Sequence, residues 1–164
     1  MGPSGATPGC FAVALADFGI LGREMSEESA TPDLTELVRR SVEAAARGDL
    51  DAHIAFYTHD AVWDASPMGI GTFEGQVAMR GFWEDWLSSY EGWGLQPVEV
   101  QELGNGVTFA VLDQRGRLLG SSGEIELRYA SVCKWQEGKI ARVTNYTDID
   151  EARAAAERLA QQRA

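Results

Sequence analysis

The chain has 164 residues and is 45% hydrophobic, enough for one compact domain with a substantial core. A formal net charge of -11, with 14 basic residues scattered along the chain, argues against a nucleic-acid partner, because phosphate backbones are bound through clustered Lys and Arg. No apolar run is long enough to span a bilayer. Two Cys and two His without CxxC spacing give no zinc site and fit a reducing, cytoplasmic setting.

Residues 1–24 differ from the rest, being Gly/Pro/Ser-rich up to Gly9 and apolar from Cys10 to Gly22. They read as a poorly ordered extension, with Met25 opening a single domain over 25–164 whose core is 33–150. A secretory leader is the competing reading. Against it stand Asp17 inside the apolar run and the lack of Lys or Arg before it.

Thr31-Pro32-Asp33 reads as a helix start, with Thr31 as N-cap and Asp33 in the first turn. Leu34, Leu37, Val38, Ser41, Val42 and Ala45 form the buried face of that helix, which Gly48 ends. Asp49 caps a short second helix with Leu50, Ile54 and Tyr57 inward, closed by His59-Asp60. A strand over 61–65 carries Trp63 into a turn marked by Pro67, Gly69 and Gly71. A third helix over 75–91 follows, with Phe82, Trp83, Trp86, Leu87 and Tyr90 on one face and Gly92 and Gly94 as stops.

From Leu95 onward the hydrophobic period becomes two. A strand over 95–103 meets Gly104-Asn105-Gly106, a strong hairpin signal. Val107, Phe109, Val111 and Asp113 share one face of the next strand. After the turn Gly120-Ser-Ser-Gly123, a long strand has Ile125, Leu127, Tyr129, Ser131, Cys133 and Trp135 on one face. Glu137-Gly138 turns into 139–147, and Asp148 and Asp150 open a C-terminal helix. The expected fold is α+β: a cone-shaped, curved mixed or antiparallel sheet wrapped over three N-terminal helices, plus the C-terminal helix. Such a cone leaves an apolar hollow suited to a small molecule.

Several stretches in this order resemble the nuclear transport factor 2-like superfamily, and within it the SnoaL-like, ketosteroid-isomerase-like group. They are Arg47-Gly48-Asp49-Leu50-Asp51, Ala61-Val62-Trp63-Asp64-Ala65-Ser66-Pro67, Gly75 to Trp83, and Trp135 to Arg142 leading to Tyr146-Thr147-Asp148. The resemblance spans about residues 33–150. It implies isomerases, polyketide cyclases, epoxide hydrolases, dehydratases or non-catalytic binding modules, commonly as homodimers. Ketosteroid isomerisation needs a carboxylate base, a tyrosine and a neutral carboxylic acid. The resemblance puts Ala65, Ser41 and Ser131 at those three places, which disfavours that reaction. Asp64, one residue from the base position, reads as structural or rim.

The expected ligand pocket comprises Tyr57, Trp63, Ala65, Met68, Phe82, Trp83, Trp86, Val111, Tyr129, Ser131, Cys133 and Asn145. Three tryptophans within residues 63–86 favour a flat or ring-bearing apolar ligand. Asp113 is the candidate catalytic acid/base, with Arg115 on the same face to activate a water; an exposed salt bridge is the competing reading. Cys133 reads as inert core and His53 as surface or satisfied core. No metal or organic cofactor is expected. Acid/base or water-addition catalysis stands against a second possibility, a non-catalytic module that binds a ligand or dimerises through the outer sheet face.

Overall fold

The structure, a computed structural model, describes residues 33–162. The expectations for residues 1–24, Thr31 and Pro32 lie outside them. Helix α1 (Leu34–Ala46) is capped by Asp33, whose carboxylate accepts from the Glu36 N–H and the Thr35 hydroxyl. Asp33 is therefore the cap itself rather than a first-turn residue. Leu34, Val38, Ser41, Val42 and Ala45 are buried at the expected helical spacing.

Gly48 leaves α1 at φ 75, and Asp49 caps α2 (Leu50–Ile54) through the Ala52 N–H at 3.1 Å. The second helix is shorter than its sequence suggests. Tyr57, expected inside it, opens strand β1 (Tyr57–Asp64), which also contains His59 and Asp60. The backbone is drawn away by pairing, since Tyr57 lies opposite Ile140 and the Ile140 N–H donates to the Phe56 carbonyl. Tyrosine and threonine favour a pleated, half-buried surface, so propensity and pairing agree here.

A 3₁₀ turn (Ser66–Met68) and a three-residue strand β2 (Thr72–Glu74) occupy what reads as loop. Helix α3 (Gln76–Ser88) ends two residues before Tyr90, which instead begins strand β3 (Tyr90–Gly104). Gly92 and Gly94 are accordingly not helix stops. They lie at a shift in the β3 register between Glu91 and Gly94, a bulge that bends the strand around the helices. The Tyr90 ring covers Gly116, where an added Cβ would come within 2.7 Å of it.

Strands β4 (Val107–Leu118), β5 (Glu124–Gln136) and β6 (Lys139–Tyr146) follow as antiparallel neighbours, and helix α4 (Ile149–Gln161) closes the described chain. The six-stranded sheet has the order β2-β1-β6-β5-β4-β3, with β1 and β6 parallel. Its concave face packs on α1, α2 and α3, giving the α+β cone. Helix α4 packs on the opposite face, where Ala152 and Ala156 meet Val107, Phe109, Val111, Ala130 and Val132. Arg153 fastens it there, in a bidentate pair with Glu99 and with its guanidinium 4.5 Å above the Phe109 ring.

This second layer overturns the expected facing of β4. Val107, Phe109 and Val111 point to α4, while Thr108, Ala110 and Leu112 point into the cone. Both faces of β4 are apolar and buried, so period-two alternation carries no sign that distinguishes them.

The β3–β4 hairpin turns on Asn105 at φ 55 and Gly106 at φ 72, both left-handed as a type I′ turn requires. A Cβ on Gly106 would lie 2.9 Å from the Trp135 carbonyl oxygen, and the Gly106 carbonyl accepts from the Trp135 N–H. Gly106→Ala is expected to destabilise the fold by about 1–3 kcal/mol, read as a lower midpoint in chemical denaturation; an unchanged midpoint would show that the β5 backbone yields freely.

Candidate functional site

The hollow of the cone consists of two narrow lobes. The inner one, about 40 Å³, lies between α1, α2 and the concave sheet face. Ser41, His53, Tyr57, Thr108, Tyr129, Ser131, Cys133 and Asn145 supply its polar side chains, and Val38, Val42, Leu95, Ala110, Leu112, Ile140 and Val143 much of its apolar wall. The outer lobe, about 20 Å³, is bounded by Met68, Ile70, Phe82, Trp86 and Gln114. Trp63, Trp83, Tyr129 and Asn145 line both and form the partition. At roughly 10–15 Å³ per water, these volumes admit a few waters. A ring enters only if partition side chains turn aside.

The aromatic wall is continuous. Trp63 packs on Phe82 at 4.6 Å and Phe73 at 5.6 Å, Phe82 stacks on Trp86, and Trp86, Tyr90 and Trp93 lead back to Trp83. Trp93 donates from Nε1 to the Ala45 carbonyl, and Trp135 donates to the Thr108 hydroxyl at 2.9 Å. Among the described residues Trp83 has no such partner. Its Nε1 and the Asn145 Oδ1, one a donor and the other an acceptor, are buried on the same partition with no hydrogen-bond partner among the described residues.

Among the described residues, no Asp, Glu, Lys or Arg lines either lobe. His53, read from the sequence as surface or satisfied core, is buried, and its Nδ1 lies 2.8 Å from the Ser41 carbonyl oxygen. Burial lowers its pKa to about 4, the bond to Ser41 opposing the shift, so the ring is neutral at pH 7. Burial raises the pKa of the Tyr57 and Tyr129 hydroxyls, which remain protonated donors. Burial likewise lifts the Cys133 thiol to about 11, which leaves it unreactive.

Of the residues expected to form the pocket, Tyr57, Trp63, Met68, Phe82, Trp83, Trp86, Tyr129, Ser131, Cys133 and Asn145 line one lobe or both. Val111 does not, because it faces α4. Ala65 is fully buried but lines neither lobe. Its backbone closes the 65–71 turn instead, taking the N–H groups of Met68 and Ile70 on its carbonyl.

Asp113 is also outside the hollow. It lies opposite Arg128 on β5 and forms a bidentate pair with it at 2.7 and 2.9 Å. That bond holds its carboxyl below the usual range, the reverse of what a general base needs. Arg115, its expected partner, pairs with Glu126 at 3.9 Å. Asp64 is a structural anchor, accepting from the Ser66 hydroxyl and N–H, the Thr72 hydroxyl and Arg142.

With this geometry in view, the SnoaL-like domain family matches residues 38–143. The chain belongs to that family. No curated protein matches this sequence. Among solved structures, a ketosteroid-isomerase-like fold from Catenulispora acidiphila, in complex with trimethylamine, is 14% identical. The match covers 77% of this chain and 94% of that one, with a TM-score of 0.62. A candidate polyketide cyclase from Xanthomonas campestris is 25% identical over 71% of this chain and 91% of its own, at a TM-score of 0.58. TerC, co-crystallised with polyporic acid, is 18% identical over 75% and 96%, at 0.61. These neighbours share the SnoaL-like chain's fold.

The buried imidazole sets a pH dependence. Because its folded pKa is depressed, the unfolded chain binds a proton between pH 6.5 and about 4 that the folded chain refuses. Stability is complete above 6.5 and is expected to fall by on the order of 3 kcal/mol through that window. Urea unfolding as a function of pH should show this loss in wild type and a flatter curve in His53→Gln. Identical slopes would mean that His53 titrates normally. Asp64, Glu99 and Asp113, whose carboxyls are held low, act at more acidic pH.

Proposed function

We propose that this SnoaL-like protein binds a small, neutral, ring-bearing molecule across the two lobes, with an acceptor on the ligand taken by Trp83 Nε1 and a donor taken by Asn145 Oδ1. The observation that carries the reading is this unpartnered pair, buried on one partition. Leaving such atoms unbonded costs about 1–3 kcal/mol each, and a ligand that bonds both recovers that cost. The aromatic wall favours a flat shape, and the lack of charged lining favours a neutral one. TerC with polyporic acid, and the candidate polyketide cyclase, lend the same direction by analogy of fold.

Carboxylate-led isomerisation or water addition is not part of this reading, since among the described residues no Asp or Glu lines either lobe. The small lobe volumes favour a second reading, a packed, non-catalytic module. Its expected dimer face is partly taken: helix α4 covers the apolar part of the outer sheet. A cytoplasmic homodimer remains part of the proposal, to be checked by sedimentation of the intact protein.

Asn145→Leu separates the two readings. It removes an unbonded acceptor from an apolar wall, so the variant should gain about 1 kcal/mol of stability while losing roughly tenfold in affinity. Neutral bicyclic phenols, titrated by calorimetry against wild type and variant, provide the measurement. Absence of saturable binding across the panel would leave the packed-module reading.

A further inference from the structure

The tip of the β3–β4 hairpin holds a reactive pair outside the cone. Asn105 is exposed and glycine follows it, so no side chain shields the Gly106 nitrogen from the Asn105 carboxamide. That nitrogen is unengaged, since the Gly106 N–H has no acceptor among the described residues. The Lys134 ammonium donates from Nζ to the Asn105 carbonyl oxygen, which belongs to the same peptide unit as the Gly106 nitrogen. A cation on an amide oxygen makes the N–H of that amide more acidic, because it stabilises the anion in which charge moves from nitrogen to oxygen. The carboxamide is also held, with Nδ2 donating to the Ala160 carbonyl in the last turn of α4.

We propose that Asn105 is a self-modification site, at which the Gly106 nitrogen displaces ammonia from the carboxamide with Lys134 assisting, and water completes the conversion to a carboxylate. In the first step hydroxide takes the Gly106 N–H proton, the nitrogen bonds to Asn105 Cγ, and the Cγ–Nδ2 bond breaks. Nδ2 leaves as ammonia with a proton from water, and a five-membered imide remains. In the second step water adds to one of the two imide carbonyls, the C–N bond there breaks, and the nitrogen recovers its proton. Opening at Cγ gives an aspartyl residue. Opening at the backbone carbonyl carbon gives an isoaspartyl linkage, whose main chain is one methylene longer. The net change is one water consumed and one ammonia released.

The consequence falls on α4. Carbonyls in the last turn of a helix run out of helical N–H partners, and Asn105 supplies a donor to one of them. A carboxylate at neutral pH can only accept, and it sets a negative charge against the negative end of the helix. Either product therefore removes the hairpin's hold on α4, leaving the Arg153–Glu99 pair and the apolar contacts beneath the helix. The isoaspartyl form also lengthens a turn whose Gly106 carbonyl accepts the Trp135 N–H. Modification is thus a one-way loosening of the helix that covers Val107, Phe109 and Val111.

The test incubates the intact protein at mildly alkaline pH and follows the peptide spanning residues 104–107 by tandem mass spectrometry, which reads the gain of about one dalton and separates the two products. Asn105 should convert in the folded protein, whereas buried Asn145, which precedes Tyr146, should not. Lys134→Met, checked for folding by circular dichroism, should slow the conversion by about tenfold, and Lys134→Arg should restore it. In urea, wild type and Lys134→Met should convert alike, because only the fold brings Lys134 to the Asn105 carbonyl. Hydrogen exchange at α4 amides should quicken by about tenfold both in the aged protein and in Asn105→Asp, with β5 unchanged. An Asn105 that stays intact when folded while it converts in urea, or equal rates in folded wild type and Lys134→Met, would overturn the assisted site. Unaltered α4 exchange in Asn105→Asp would overturn its link to the helix.

Discussion

Strands β4 and β5 run through the middle of the sheet with apolar side chains on both faces, and most of the remaining structure answers the need to cover them. On the convex side the answer is α4, whose Ala152 and Ala156 approach closely enough to bury Phe109 and Val132. On the concave side it is the trio of N-terminal helices, which cannot follow the curve of the sheet completely. At roughly 1.5–3 kcal/mol for each large apolar side chain removed from water, neither cover is dispensable. The incomplete fit on the concave side is the origin of the two lobes.

What lines those lobes follows from that constraint. Beside Leu112 and Tyr129, the side chains of β4 and β5 that line the inner lobe are small or moderately polar: Thr108, Ala110, Ser131 and Cys133. Apart from Tyr129 on β5, the large aromatics that line the lobes come from β1 and α3. This division leaves space near the sheet and closes it toward the outside, with Trp63 and Trp83 between the two regions. Charges are kept outside, as with Asp64 tied to Arg142 and Asp113 to Arg128. Burial then decides the protonation of the groups that remain, each of which is neutral. A cavity lined, among the described residues, by neutral hydrogen-bonding groups and no carboxylate differs chemically from one that works through a carboxylate base on the same fold.

Much was legible in the amino-acid sequence, for identifiable reasons. Helix α1, the Asp49 cap and the Asn105-Gly106 turn are local signals, each set by a few neighbouring residues. The facing of β5 was legible because its alternate residues include Tyr129, Ser131 and Cys133, whose polarity and size mark a cavity-facing series. Tyr57 and Tyr90 were misplaced into helices because their departure into strands depends on partners far along the chain, Ile140 and Leu118. His53 gave only the signal of a histidine four residues before a tyrosine, which does not reveal that its Nδ1 meets the Ser41 carbonyl.

The sequence by itself determined the α+β class, the order of most elements and the aromatic character of the pocket, because periodicity, caps and turn residues act over short spans; the family entered as a resemblance carried by stretches from Arg47 to Asp148. Only the tertiary structure decided which face of β4 looks inward, and with it the removal of Val111 and Asp113 from the site. A strand apolar on both sides has no preferred face until a helix packs on one of them. The same assembly left Trp83 Nε1 and Asn145 Oδ1 without partners among the described residues and turned a histidine on a five-residue helix into a buried neutral acceptor. Hydrogen bonding and desolvation at those atoms depend on which groups the completed fold brings near and which it keeps away.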